Sequence, residues 1–428
     1  MIRAALFLIL TLAAPARATL APEQAIEGWY RLTLELVRHT ATYTPPVASR
    51  AFAYTGVAAW EALASGDPGL ISLAGQLNAL GPLPPRDAGP HDDGAVLNAA
   101  LSAVIARMFA NTGPTGQRAM AAMDRTLTAR AADGLPPEVA ARSAAHGRAI
   151  AAHILAWAEA DGGAIVPNMG FPETWRPVTS PAQWVPTNAI PLQQTPLLPG
   201  WGTNRPFRMA DGAACPVPPH PPYSEDPGSA FWAEAKEVHD TWKTLTAEQE
   251  AIALFWADDA MLSPTPPGHW ISIAMQVTAR DGADAARRAE VLALLGVTLA
   301  DAFIACWHEK YVYDLVRPVT YIRRVIDPAF DTILITPPFP EYPSGHSVQS
   351  GAAGAILTHL FGAPFPFIDD THADDGLPAR QFDSFAHAAA EGGISRLYGG
   401  IHYRAAIEHG LAQGRCVGAH FTTIRTRP

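Results

Sequence analysis

VLALLGVTLADAFIACWHEKYVYDLVRP, residues 291–318, is the stretch from which the reading of this chain grows. Val291 to Trp307 is the most apolar run in the sequence, interrupted only by Asp301 and flanked by Arg287, Arg288, Glu290 and Glu309. Those charges break it below the roughly 18 to 20 uninterrupted apolar residues of a membrane span. Its periodicity instead predicts a helix over 285–313. At its end stand Lys310 and, seven residues on, Arg317. Lysine is scarce here, the others being Lys236 and Lys243.

Outward from that helix, apolar residues at three- and four-residue intervals predict helices over 25–37, 47–63, 95–109 and 138–159. Beyond residue 227 the pattern predicts helices over 230–244, 247–260, 269–279, 344–361, 380–392 and 405–425. Pro45-Pro46 separates the first pair, and Thr332 to Thr336 is the one short strand candidate. Residues 162–227 are rich in proline, with Trp175, Trp184 and Trp201 between, and read as an extended connection pinned across the helices. The expected architecture is all-α: an N-terminal helical region over 19–161, the connection over 162–227, and a helical bundle over 228–428.

The chain has 428 residues, 48% of them apolar and 16% charged, enough for a large core. A net charge of -10 argues against nucleic acid as a partner. Residues 1–18 read as a signal peptide: Arg3, an apolar run from Ala4 to Ala14, and Ala16-Arg17-Ala18 as the cleavage site. The mature chain would then begin at Thr19, be secreted or periplasmic, and be soluble without a membrane partner. Cys215, Cys306 and Cys416 match no zinc spacing. Cys306 and Cys416 sit in apolar helical patterns and read as core residues, and one bridge is left open.

Three segments carry chemistry: KYVYDLVRP at 310–318, FPEYPSGHS at 339–347 and SRLYGGIHYR at 395–404. Lysine brings a compact charge and each arginine a permanently charged fork of N–H donors. Ser344 and the Gly345 amide add neutral donors at a helix start. Together they can saturate the oxygens of a tetrahedral anion. His346 and His402 then supply an acid–base group and a nucleophile or metal ligand. Each piece alone is commonplace, a solvated helix face or a serine cap; only the set points to an oxyanion site.

The set resembles the signature shared by vanadium-dependent haloperoxidases and type 2 phosphatidic acid phosphatases: K-x6-R-P, P-S-G-H and S-R-x5-H-x3-D. The resemblance implies vanadate as cofactor, with His402 its metal ligand. Lys310, Arg317, Ser344, Gly345 and Arg396 would bind its oxygens, with His346 and Lys310 catalytic. It implies hydrogen peroxide and a halide as substrates, with a small organic acceptor further on. Trp307 and Phe339 fall where chloroperoxidase-like members carry aromatics near the halide. In FWADDAMLSPTPPGHW, Asp259 matches a carboxylate that pairs with the acid–base histidine and an arginine, while His269 reads as structural. The motif's final aspartate is replaced by Ala406. His402 therefore needs another partner; Glu408 lies round the helix, and a backbone carbonyl would serve. A secreted acid phosphatase with His402 as nucleophile, and an oxyanion-binding protein without catalysis, are the competing readings.

Overall fold

The computed structural model describes residues 20–164, 175–176, 178–187 and 195–428. The expected leader, its cleavage site and parts of the proline-rich connection lie outside these. Within them the chain is helical. The helices are α1 (Pro22–His39), α2 (Pro45–Ala64), α3 (Asp93–Met108), α4 (Pro114–Ala132) and α5 (Pro137–Glu159). After the connection come α6 (Ala230–Lys243), α7 (Ala247–Phe255), α8 (Thr265–Arg280), α9 (Ala285–Tyr313) and α10 (Pro318–Val325). The chain closes with α11 (Gly345–Phe361), α12 (Phe385–Tyr398) and α13 (Arg404–Phe421). One small antiparallel ribbon pairs β1 (Phe367–Asp369) with β2 (Arg380–Phe382), Phe367 opposite Phe382.

The helix anticipated at 285–313 is α9, with those boundaries. Its start is fixed by Asp284, whose side chain accepts from the Arg287 N–H at 2.7 Å. By length and composition α9 could cross a membrane, but its most apolar window is wholly buried among other helices. It packs on α2 and α8 on one side and on α11 and α13 on the other, so one apolar core runs through both halves. Asp301, the charge that interrupts the apolar run, is fully buried. Its carboxylate accepts from the backbone N–H groups of Phe207, Arg208 and Met209 at 2.6 to 3.1 Å. It thereby ties the proline-rich connection to α9. Trp184 N–H donates to the Asp314 carbonyl at 2.9 Å and Trp307 Nε1 to that of Leu197 at 3.0 Å.

Several expected elements are corrected. Residues 332–336 form no strand. Residues 380–392 are not one helix: β2 comes first, because Phe382 pairs across the ribbon with Phe367, and Ser384 then caps α12. The helix expected to reach 260 stops at Phe255, because a turn with positive φ at Asp258, Met261 and Thr265 follows. Helices α4 and α10 were not anticipated, being weakly apolar or short. Pro45 and Pro46 begin α2 rather than end α1, which stops at His39, since proline fits the first helical turn. Cys416 is exposed rather than core and is bridged to Cys215, while Cys306 is free and buried.

Helices α11 and α13, which carry Ser344 and follow His402, cross at contact distance of their backbones. A Cβ on Gly414 would stand 1.9 Å from the Val348 carbonyl oxygen, and one on Gly351 2.4 Å from that of Leu411. Backbone cannot yield as a side-chain tip can, so Gly414→Ala should force the helices apart at a cost of about 1–3 kcal/mol. Gly28→Ala is the control, since its Cβ would meet only side chains at 3.6 Å or more. Replacing a mid-helix glycine there should stabilise by about 0.5–1 kcal/mol. Thermal denaturation of both variants checks the sign of each effect.

Candidate functional site

Four helix ends converge on one buried cluster of polar side chains. Lys310 lies in the last turn of α9, which the left-handed Asp314 (φ 47°) terminates. Arg317 is the N-cap of α10, and Ser344 is the N-cap of α11. Arg396 lies in the last turn of α12, and His402 follows in the turn before α13. The positive ends of α10 and α11 therefore face the same place as three cationic side chains.

Those cations are buried and held mainly by carbonyl oxygens. Lys310 Nζ donates to Pro340, Glu341 and Pro343 at 2.9, 3.0 and 2.5 Å. Arg317 donates through Nε to Phe339 and through Nη1 to Ile401, both at 3.0 Å. Arg396 Nε donates to Ser395 Oγ at 3.0 Å, and its Nη2 to the Trp256 carbonyl. Burial draws Lys310 down to about 7 and the two arginines to about 10. Each charge thus lacks its full complement of negative partners.

The cluster also holds unused polar atoms. The Arg317 Nη2 donor is buried with no partner, and His346 Nε2 also has none. Ser344 Oγ accepts from the Ser347 hydroxyl and N–H, at 2.9 and 3.4 Å, which leaves its own proton free to donate. Gly345 opens α11, so its N–H has no acceptor within the helix. Orphaned buried donors around excess positive charge fit a tetrahedral oxyanion, and vanadate has that form.

His402 is presented to this cage in a defined tautomer. Arg317 Nη1, which can only donate, lies 3.2 Å from Nε2, so Nε2 carries the lone pair. Nδ1 then bears the proton and donates to Glu341 Oε1 at 2.8 Å. Burial, with Arg317 and Lys310 nearby, holds His402 well below the usual imidazole range, so the ring is neutral. Its expected partner, a backbone carbonyl, is replaced by a side chain. Glu408 pairs instead with Arg404 at 3.8 Å.

The second histidine, His346, is also kept neutral, by burial and by Arg396. The carboxylate facing it belongs to Asp258, at 3.8 Å from Nε2, and not to the expected Asp259. The left-handed backbone at Asp258 (φ 51°) turns that side chain inward. Asp259 is half-buried, lies within electrostatic reach of Arg396 and is raised to about 6 by burial. Asp258 in turn accepts from His269 Nδ1 at 3.0 Å and His372 Nε2 at 3.1 Å. His269 Nε2 donates onward to Asp369 at 2.8 Å, and Trp256 stacks on its ring at 4.4 Å. Asp258, His269 and His372 also have ligand atoms close enough to hold a metal ion. Sequence reading missed Glu341 and His372, and treated His269 as structural without its two carboxylates. Glu341 stood in plain view inside the quoted motif; only its contact across 61 residues gives it meaning.

Trp307 and Phe339 pack against each other with tilted rings, their centroids 4.9 Å apart. Lys310 Nζ lies 5.0 Å from the Phe339 ring and 5.9 Å from Trp307, and the Arg317 guanidinium 5.0 Å from Phe339. They form an apolar wall beside the cations.

Comparison with known proteins places this geometry. The chain superimposes on a bacterial vanadium-dependent iodoperoxidase with a TM-score of 0.87 at 37% identity, over 96% of this chain and 98% of that one. It belongs to the vanadium-dependent haloperoxidase family. A family profile described as the VCPO second helical-bundle domain matches residues 290–329 and 326–427, the part carrying the cage. The vanadium chloroperoxidase of Curvularia inaequalis is 25% identical over 217 residues, and the match spans only 36% of that protein's length. A bacterial vanadium-dependent chloroperoxidase shares the fold, with a TM-score of 0.68 at 17% identity over 96% of this chain. This chain carries Ala406 where the motif has aspartate.

The carboxylate–imidazole cluster behind His346 yields a stability prediction. Burial opposes charge on His269, but Asp258 and Asp369 outweigh it and raise its pKa from 6.5 to about 10. A raised base stabilises fully below its unfolded value and loses that contribution as pH climbs through the folded one. For Asp258, burial is likewise outweighed, by His269 and His372, and its pKa falls below the usual 3.8. Its contribution is lost as pH drops below that value. His269→Gln strands two buried carboxylates and should cost about 3–5 kcal/mol near pH 5–6. The deficit should shrink as pH approaches 10, and urea unfolding of both proteins at the two pH values checks it.

Proposed function

We propose that this chain is a vanadate-dependent haloperoxidase that oxidises a halide, iodide foremost, with hydrogen peroxide. The observation that carries this reading is the neutral His402, its Nε2 lone pair turned into a cage of buried, incompletely partnered cations. An anionic metal oxide meets both needs at once, taking the lone pair at the metal and the donors at its oxygens. His402 would hold the vanadium, with Arg317, Arg396, Ser344, the Gly345 amide and Lys310 around the oxygens. When bound, vanadate supplies Lewis-acid activation of peroxide without changing oxidation state. The protein's own part is binding, exclusion of water and proton handling. His346, neutral and with Nε2 unpartnered, is placed to take a proton from an incoming peroxide and return it. Trp307 and Phe339 offer a wall at which a weakly hydrated halide loses least on leaving water. Similarity to an iodoperoxidase supports iodide as the first halide to try.

A second reading has one observation behind it. Glu341 gives His402 the base–orienter pair that a phosphatase nucleophile needs, so the missing aspartate no longer counts against phosphoryl transfer.

The test loads the protein with orthovanadate and follows triiodide formation from iodide and peroxide, with phosphomonoester hydrolysis measured on the unloaded protein. Vanadate-dependent iodide oxidation is expected, abolished by chelation and by His402→Ala. His346→Ala should lower kcat by about 10²- to 10⁴-fold. Phosphatase turnover alone would transfer the same residues to the second reading, and silence in both assays would leave an oxyanion-binding protein.

The protein works outside the cytoplasm in this proposal. The leader pattern at 1–18 and the disulfide Cys215–Cys416 support it, since such bridges persist in oxidising compartments. N-terminal sequencing of the protein recovered from its host should give Thr19 outside the cytoplasm; recovery only inside the cytoplasm with an intact Met1 start would overturn export.

A further inference from the structure

Position 406 and position 341 belong to one problem. The family motif puts a carboxylate four residues after its final histidine, and this chain puts Ala406 there, fully buried. The Ala406 carbonyl accepts from the Ser344 N–H at 3.1 Å, which seats the start of α13 against the loop that carries Glu341. Both residues line a void of only about 10 Å³, shared with Tyr403, Phe231 and Leu315. That is at most the room of one water molecule. The site accommodates one carboxylate, and Glu341 is it.

Glu341 is itself locked. Its side chain is fully buried, and its backbone N–H donates to the Leu315 carbonyl at 2.9 Å. Oε1 accepts from the Tyr403 N–H at 2.9 Å and from His402 Nδ1 at 2.8 Å. Arg317 Nη1 can only donate, so Nε2 opposite it carries the lone pair. Nδ1 then carries the imidazole proton and donates to Glu341 Oε1, which Tyr403 N–H holds in place. Gripped at Nε2 by Arg317 and at Nδ1 by Glu341, the ring cannot rotate.

We propose that Glu341 is the positioning residue of His402, having moved the motif's orienting carboxylate from the α13 helix to the loop before α11. It fixes the ring's tautomer and rotation so that Nε2 faces the oxyanion, and Ala406 is its necessary complement. The proposal deepens the haloperoxidase reading and rests on it only for the identity of the anion. Without Glu341 the ring keeps one constraint, from Arg317, and can turn. With a second carboxylate at 406 the void is overfilled and two acids share it.

The test uses four variants of the full chain: Glu341→Gln, Glu341→Ala, Ala406→Asp, and Glu341→Ala combined with Ala406→Asp. Two quantities are read: the His402 tautomer, from ¹⁵N shifts of the vanadate-free protein, and the orthovanadate dissociation constant, from equilibrium dialysis. Glutamine keeps an acceptor that Tyr403 N–H orients, so Glu341→Gln should retain the tautomer and most of the affinity. Glu341→Ala should mix the tautomers and weaken orthovanadate binding about 10- to 100-fold. The combined variant should regain the single tautomer and most of the affinity, whereas Ala406→Asp alone should lower the melting temperature. Such reversal of sign marks coupled neighbours. An unchanged tautomer and affinity in Glu341→Ala would overturn the proposal. So would equal losses in Glu341→Gln and Glu341→Ala, or no recovery in the combined variant. Tautomers that follow the expected pattern in a protein without halide oxidation would keep the proposal and remove the haloperoxidase reading instead.

Discussion

The constraint on which the rest depends is positive charge taken out of water without matching negative charge. Lys310, Arg317 and Arg396 are all buried, and none makes a salt bridge within 4 Å among the described residues. Burying an ion costs several kcal/mol unless dipoles replace its hydration. Here the replacement comes from the carbonyls of Phe339, Pro340, Glu341, Pro343, Ile401 and Trp256. Carbonyls are free to do this only where the chain is not helical, which is why the cage forms where helices end. Depression of Lys310 to about 7, with the arginines still near 10, shows the price of the arrangement. An anion bound among them relieves it.

The two histidines face this cage from different electrostatic settings. His402 has a carboxylate directly behind it and an arginine in front, an arrangement that fixes which nitrogen is available. His346 has its carboxylate further off, and that carboxylate is already committed to two other imidazoles. The partners of Asp258 extend through His372 and Asp375 to Arg38 on α1, and through His269 to Asp369 on the small ribbon. N-terminal helix, ribbon and catalytic bundle thus meet behind one side chain. This is the structural use of a first half whose sequence carries none of the motif.

The same logic explains α9. A helix that is apolar on all sides can survive only inside a core, and it delivers its one late lysine to the cage because the last turn emerges there. Asp301, buried in its middle, would be unfavourable alone. Three backbone N–H groups of the proline-rich connection satisfy it, and so a charge in the core becomes the anchor of a segment that cannot form a helix.

By itself the sequence determined the helical class, the central helix to its boundaries, and the cationic and histidine residues of the cage. These follow from local periodicity and from residue chemistry, which need no knowledge of neighbours. It did not determine α4 or α10, whose apolar pattern is too faint or too short to read, nor the ribbon at 367–382, whose pairing spans a loop. Above all it could not choose between Asp258 and Asp259, or find Glu341. Adjacent aspartates are equivalent until a left-handed turn aims one of them inward. A glutamate beside a proline is an ordinary loop residue until the fold sets a histidine 61 positions away at 2.8 Å. Tertiary structure decided those contacts because hydrogen bonds depend on distance in space, and the chain's own order carries no record of it.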